Sequence, residues 1–178
     1  MSDDIGVPKA RAAILEAYNR LVLKADGKTV RVSEIVREAE IGRSTFYEHF
    51  PNADSVLQEA VAVPFRFFAQ ASLGGDWKRL EGLLSHFMDQ AIHARSLFMD
   101  ARTRDQLVGV LAREYESLLE FEPEVAQERR WCSIQLSESN LAMVRQWIDG
   151  KLVVDAERLS KWIVHCTEQI QDLVKQKL

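Results

Sequence analysis

Residues 43–49 read Arg-Ser-Thr-Phe-Tyr-Glu-His and bring several hydrogen-bonding side chains close together. An arginine offers a forked donor that suits a guanine edge or a phosphate, and hydroxyl groups can bond to either. A histidine near the end can donate to phosphate. These side chains suit contacts to nucleic acid. Catalysis is not expected, because the chain shows no nucleophile elbow, phosphate loop, HExxH motif or paired carboxylates in a recognisable setting.

Two short helices must position these side chains. Residues 33–50 are predicted to form a helix-turn-helix unit, in which two helices of about two turns are joined at residues 40–42. Phe46 and Phe50 are four residues apart, so they share a helix face. They can pack against the apolar stripe of the preceding helix, which consists of Ile35, Val36 and Ala39. The remaining residues of the second helix then face outward. An ordinary two-helix corner with solvated polar side chains would show the same pattern.

The segment AEIGRSTFYEHF at residues 39–50 closely resembles the signature of the tetracycline-repressor (TetR) family of transcriptional regulators. The resemblance extends over residues 9–60, and the rest of the chain is similar only in its arrangement of helices. It implies a DNA-binding regulator, with contacts to DNA at Ser33, Arg43, Ser44, Thr45, Tyr47 and His49. By this resemblance, Arg43, Ser44 and Thr45 would read bases. Tyr47 and His49 would position the protein on the DNA backbone.

Several positions depart from the family pattern. Many members have glycine where Glu40 stands, serine where Gly42 stands, and a phosphate-binding lysine where Ala53 stands. A threonine or serine often caps the first helix of the unit, where this chain has Arg31, and Ser33 is expected to replace that contact. Residues 1–52 carry 8 basic and 8 acidic residues, so no basic patch marks the DNA-binding side.

The chain of 178 residues is predicted to be all-helical, because only 4 prolines and 8 glycines interrupt long helix-favouring stretches. Periodicity and breakers predict about nine helices, at residues 8–24, 32–39, 43–50, 54–71, 77–92, 96–100, 103–121, 125–149 and 155–177. Pro64 is expected to kink the fourth helix or end it early. We predict a DNA-binding domain over residues 1–53 and a domain for effector binding and dimerisation over residues 54–178.

The second domain is rich in aromatic residues and methionine. In the family, the middle helices enclose a pocket for a small apolar or aromatic effector, which needs large apolar walls. The resemblance therefore implies pocket walls at Phe68, Phe87, Met88, Phe98, Leu111 and Tyr115. Each of these side chains would serve equally well as ordinary core. His86, Asp89 and His93 share a helix face without an evident fourth ligand, so neither a metal nor a cofactor is predicted.

Apolar residues recur at helical spacing along the last two helices. In the family this pair packs against its twofold mate. The resemblance thus implies a homodimer through Trp131, Ile134, Leu141, Trp147, Leu159, Trp162, Ile163 and Ile170. A twofold dimer would present two reading helices to a palindromic operator. The alternative is that the apolar residues of both helices are buried within a single chain.

The predicted function is a ligand-responsive repressor that binds a double-stranded DNA operator as a homodimer, with ligand weakening DNA binding through linkage. The alternative is a sensor or scaffold of the same fold that does not bind DNA, which Ala53 and the neutral amino-terminal segment favour. The first residues lack signal-peptide features, and no apolar run approaches the about 20 residues that span a bilayer. We therefore expect a cytoplasmic protein without a membrane partner.

Overall fold

The architecture is that of a helical protein with a small head and a larger body. The computed structural model describes residues 6–24, 29–89, 98, 100–120 and 126–175. These residues form eight α-helices and no strand: α1 (Gly6–Lys24), α2 (Val32–Glu38), α3 (Arg43–His49), α4 (Ala53–Leu73), α5 (Trp77–Asp89), α6 (Ala101–Leu118), α7 (Ala126–Ile148) and α8 (Ala156–Lys175). The all-helical prediction is confirmed. The short helix expected at residues 96–100 lies mostly outside the described residues.

The head consists of the described residues up to Leu57. In it α1 packs on α2, α3 and α4, and α2 packs on α3. The buried apolar side chains of the head are Ile14, Ala17, Tyr18, Val30, Ile35, Phe46, Phe50, Val56 and Leu57. At the junction with the body, Asn52 Oδ1 accepts a hydrogen bond from the Ser55 N–H at 2.9 Å. This cap satisfies a backbone donor that the start of α4 would otherwise leave unpaired.

The body consists of the described residues from Gln58 onward. Helix α4 runs from the head into the body and packs along α6, while α6 packs on α7, and α8 packs on α5 and α7. Gly150 has a φ of 72° in the tight connection between α7 and α8, a conformation that glycine adopts without steric cost. No helix in the described part of the chain combines the length and the apolar character that crossing a bilayer requires.

Helix α4 continues through Pro64 to Leu73. The helix predicted over residues 54–71 is therefore present, and of the two effects expected of Pro64 the early end does not occur. A proline in a helix interior costs about 3 kcal/mol or more, because it removes one N–H and crowds the preceding turn. The residues that follow it, Phe65, Phe68 and Ala69, are all buried against the body. Burial of this apolar face outweighs the local cost.

Candidate nucleic-acid interface

Two phenylalanines hold α3 against the head, and the polar side of the helix faces outward. Phe46 and Phe50 are 0% and 2% exposed, and their ring centroids lie 6.1 Å apart. An arc of about 140° on the other side of the helix carries four exposed residues, Arg43, Ser44, Tyr47 and Glu48. Thr45 and His49 flank this arc and are half-buried. The outward face is therefore centred on Ser44 and Tyr47.

The turn before α3 contains a left-handed residue. Glu40 has a φ of 54°, and in the same turn the Ile41 N–H donates to the Val36 carbonyl at 3.1 Å. A residue with a Cβ atom loses about 1–2 kcal/mol in this conformation. A glycine at this position would avoid that cost. This turn sets the angle between α2 and α3, so its strain bears directly on how α3 is presented.

Arg11 of α1 fixes the far end of α3. Its guanidinium lies 4.9 Å from the centroid of the Phe50 ring, and its Nε donates to Glu59 Oε1 at 2.9 Å. A cation over an aromatic face is attracted by the ring quadrupole. Because Glu59 belongs to α4, this single arginine joins α1, the end of α3 and the helix that leads into the body.

The start of α2 is capped by Glu34 and not by Ser33. The Arg31 N–H donates to Glu34 Oε2 at 2.8 Å. The Ser33 side chain is exposed in the first turn of α2. Ser33 is thus free to meet a phosphate, and this contact stays a prediction.

The charges of the head are less balanced than its composition suggests. Arg20 and Lys24 bond to Glu38, and the hydrogen bond from Arg20 is the main reason that the pKa of Glu38 is lowered. Among the described residues of the head, four cations have exposed side chains and no ion pair, namely Lys9, Arg31, Arg37 and Arg43. Glu16 and Glu38 are held in ion pairs within the head, whereas Glu40 and Glu48 carry no ion pair among the described residues. The four unpaired cations can therefore attract phosphate locally, although the net charge of the head stays near zero.

Comparison with known proteins identifies the architecture. No family model and no curated protein matches the sequence. A solved TetR transcriptional regulator from Streptococcus agalactiae 2603V matches with a TM-score of 0.60 and 22% identity, over 94% of this chain and 98% of that chain. The fold is that of a TetR regulator. At this identity the likeness establishes the TetR fold and leaves function to be argued from the residues.

Two other solved structures match less well. The dihydroxyacetone kinase operon activator DhaS has a TM-score of 0.47 and 19% identity, over 91% of this chain and 96% of that chain. A protein from Syntrophomonas wolfei that is assigned to the TetR family has a TM-score of 0.46 and 15% identity, over 92% and 95%. Scores this low support no inference about this chain.

The body of this TetR fold encloses an apolar cavity of about 60 Å³. Its walls are Val61, Pro64, Phe65, Phe68, Phe87, Phe98, Leu107, Leu141, Val144 and Ile148. Three of the six predicted pocket residues, Phe68, Phe87 and Phe98, are among them. Pockets for drug-sized ligands have volumes of about 300–1,000 Å³. In this conformation the cavity therefore has room for only a few non-hydrogen atoms.

The other predicted pocket residues lie elsewhere. Met88 is 39% exposed at the surface, and Leu111 is fully buried in the core without lining the cavity. Tyr115 is also fully buried, but its hydroxyl belongs to a polar cluster. His86 and Asp89 are exposed on α5, and His93 lies outside the described residues.

The Tyr115 hydroxyl is the centre of a buried hydrogen-bond chain. Asn140 Nδ2 donates to it at 2.8 Å and also to Thr167 Oγ1 at 3.3 Å. Ser72 Oγ lies 2.7 Å from the Tyr115 hydroxyl and donates its own proton to the Ala69 carbonyl at 3.2 Å. Tyr115 must therefore donate to Ser72, and the chain runs from α7 through α6 to α4. Burial raises the pKa of Tyr115, so the phenol keeps the proton that it donates.

The predicted dimer residues fall into two groups. Four are at most 5% exposed and are covered by their own chain, namely Leu141, Trp147, Leu159 and Ile163. Ile170 is half-buried. Three remain substantially exposed, namely Trp131 (47%), Ile134 (37%) and Trp162 (37%). Leu173 of α8 is 49% exposed as well. A single chain therefore buries about half of the apolar residues predicted for the interface. The residues of α7 and α8 that remain exposed are those that a second copy could cover.

Proposed function

We propose that the protein is a DNA-binding transcriptional regulator that binds a palindromic operator as a homodimer. The observation that carries this proposal is the outward polar face of α3, which begins with the unpaired Arg43 and is anchored from behind by Phe46 and Phe50. A helix-turn-helix unit inserts such a helix into the major groove and directs its first residues at base edges. The other unpaired cations of the head are suited to the phosphates on either side.

The proposed roles on DNA differ between the two ends of α3. Arg43, with Ser44 and Thr45, reads bases, whereas Tyr47, His49 and Ser33 bond to the backbone. Arg43→Ala should cost about 1–3 kcal/mol on the matched operator and relax base preference, because a base contact is lost. His49→Ala should weaken binding to matched and scrambled duplexes alike. Titration of both variants against both duplexes checks this, and equal losses everywhere would reject the division of roles.

Dimerisation is proposed to bury the exposed apolar residues of α7 and α8, which are Trp131, Ile134, Trp162 and Leu173. Trp162→Glu should produce monomers in sedimentation velocity, because it sets a charge against an apolar interface core. Val153→Glu is the matched control, since Val153 is 89% exposed in the connection between the two helices. If both variants remain dimeric, the pairing surface lies elsewhere.

Ligand response is proposed to act through α4. This helix carries the head on its first turns and supplies Val61, Pro64, Phe65 and Phe68 to the cavity walls. A small apolar or aromatic effector that expands the cavity favours conformations in which the two heads no longer match the operator spacing. By linkage, such an effector weakens DNA binding and relieves repression.

The test is a selection of genomic DNA fragments with the purified protein at two salt concentrations. A palindromic motif, with affinity that falls as salt rises, supports the proposal. If no motif is enriched and the ligand-free protein shows no salt-sensitive binding, the protein is a TetR-fold sensor that does not bind DNA.

A further inference from the structure

One acidic residue lies on the outward face of α3. Glu48 is exposed there, four residues after Ser44, so the two side chains share a face. Helical side chains tilt toward the amino end of their helix. The Glu48 carboxylate therefore extends toward the turn of α3 that approaches base edges when such a helix enters the major groove.

The other acids of this region are mostly occupied by partners. Between residues 29 and 54, the carboxylates of Glu34, Glu38 and Asp54 accept hydrogen bonds from a backbone N–H or an arginine. Glu40 and Glu48 have no hydrogen bond or ion pair among the described residues, and of these two only Glu48 lies on α3. A free carboxylate on a DNA-binding face is repelled by phosphate, so it is unfavourable unless it meets a hydrogen-bond donor.

We propose that Glu48 is a specificity-determining residue that accepts a hydrogen bond from the exocyclic amino group of a cytosine in each half-site. The inference rests on the proposed DNA-binding function. In the major groove cytosine presents the N4 amino donor, whereas thymine presents the O4 acceptor at the equivalent place. A carboxylate, which only accepts, is matched by cytosine and opposed by thymine. Away from such a base the same charge weakens binding, so Glu48 discriminates against unrelated sequences.

The experiment is a selection from a random duplex library with the wild-type protein, Glu48→Gln and Glu40→Gln. Both variants remove one negative charge from an exposed, unpaired position of the head, but only Glu48 lies on the outward face of α3. The selected duplexes are then titrated by fluorescence anisotropy with cytosine or thymine at each position of the half-site.

The wild-type protein should prefer cytosine over thymine at one position of each half-site by about tenfold or more. Glu48→Gln should remove that preference at this position alone, because the amide can donate to thymine O4. Glu40→Gln should keep it. If Glu48→Gln instead raises affinity for all duplexes equally, as Glu40→Gln would, the inference is overturned while the proposed function stands. If the wild-type protein selects no motif, both are overturned.

Discussion

The head and the body of this protein place their polar side chains in opposite ways. In the head, the described interior is apolar apart from the Tyr18 phenol, and the hydrogen-bonding residues of α3 lie at the surface. In the described part of the body, eight hydrogen-bonding side chains are buried, namely Ser72, Tyr115, Ser133, Ser137, Asn140, Trp147, Ser160 and Thr167. The head thus exposes its hydrogen-bonding side chains to solvent, whereas the body buries many of its own.

This contrast follows from what each part must hold in place. The head has to present one short helix, and two phenylalanines with the Arg11 contact are sufficient to fix it. The body has to align four long helices beside a cavity, and apolar side chains tolerate sliding between helices. The directional hydrogen bonds from Asn140 through Tyr115 to Ser72 favour the alignment in which all three side chains meet. We infer that this chain fixes the position of α4 relative to α6 and α7.

The largest effect is expected at the anchor of α3. Phe46→Ala should lower the free energy of unfolding by about 3–5 kcal/mol, because it leaves a cavity in a fully buried site. Tyr47→Ala, one residue further, should lower that free energy by about 1 kcal/mol or less, because Tyr47 is 57% exposed and loses only an edge contact with the Phe46 ring. It should nevertheless weaken DNA binding. Urea denaturation and anisotropy measure the two quantities. Similar stability losses for both variants would contradict the proposed orientation of α3.

A smaller effect is expected at the polar cluster of the body. Tyr115→Phe leaves a buried Asn140 N–H without its acceptor, and this should cost about 1–3 kcal/mol in urea denaturation. Ser137→Ala is the control, because the Ser137 hydroxyl donates only to the Ser133 carbonyl of its own helix. It should cost much less. Equal losses would mean that the hydrogen bonds between helices stabilise the body no more than a hydrogen bond within one helix.

The smallest effect, and a stabilising one, is expected in the turn of the head. Glu40→Gly should raise the free energy of unfolding by about 0.5–1 kcal/mol, because relief of the left-handed strain exceeds the added entropy of the unfolded chain. Glu40→Ala should give no gain, since alanine keeps the Cβ atom. A gain from alanine as large as that from glycine would show that charge and not backbone strain is limiting.

The sequence predicted the helices well because breakers and apolar periodicity act locally. The end of α1 at Lys24 and the starts of α2, α3 and α5 at Val32, Arg43 and Trp77 are as predicted, and the other described boundaries differ by a few residues. The inward side of α3 was predictable for the same reason, since Phe46 and Phe50 share a face. The predicted range of α4 already contained Pro64, but the local pattern did not tell whether the proline would end the helix early. Long-range packing decides this against the local preference of proline.

The body was less predictable because its partners are distant in sequence. Tyr115 bonds to Ser72 and Asn140, which lie 43 and 25 residues away, so no local pattern distinguished it from a pocket residue. The apolar residues at helical spacing on α7 and α8 could not be assigned to an interface for the same reason. Periodicity places Leu159 and Trp162 on the apolar side of α8. It does not show that Leu159 is buried by its own chain while Trp162 stays partly exposed.

The most direct test of the account is an anisotropy titration of the selected palindrome, its isolated half-site and a scrambled duplex. Two copies of the chain should bind the palindrome, with an affinity at least about 10³-fold above that for the scrambled duplex and falling as salt rises. The isolated half-site should bind far more weakly, because only one α3 is engaged. Equal binding to all three duplexes, or none to any of them, would contradict the claim that α3 reads DNA from a dimer.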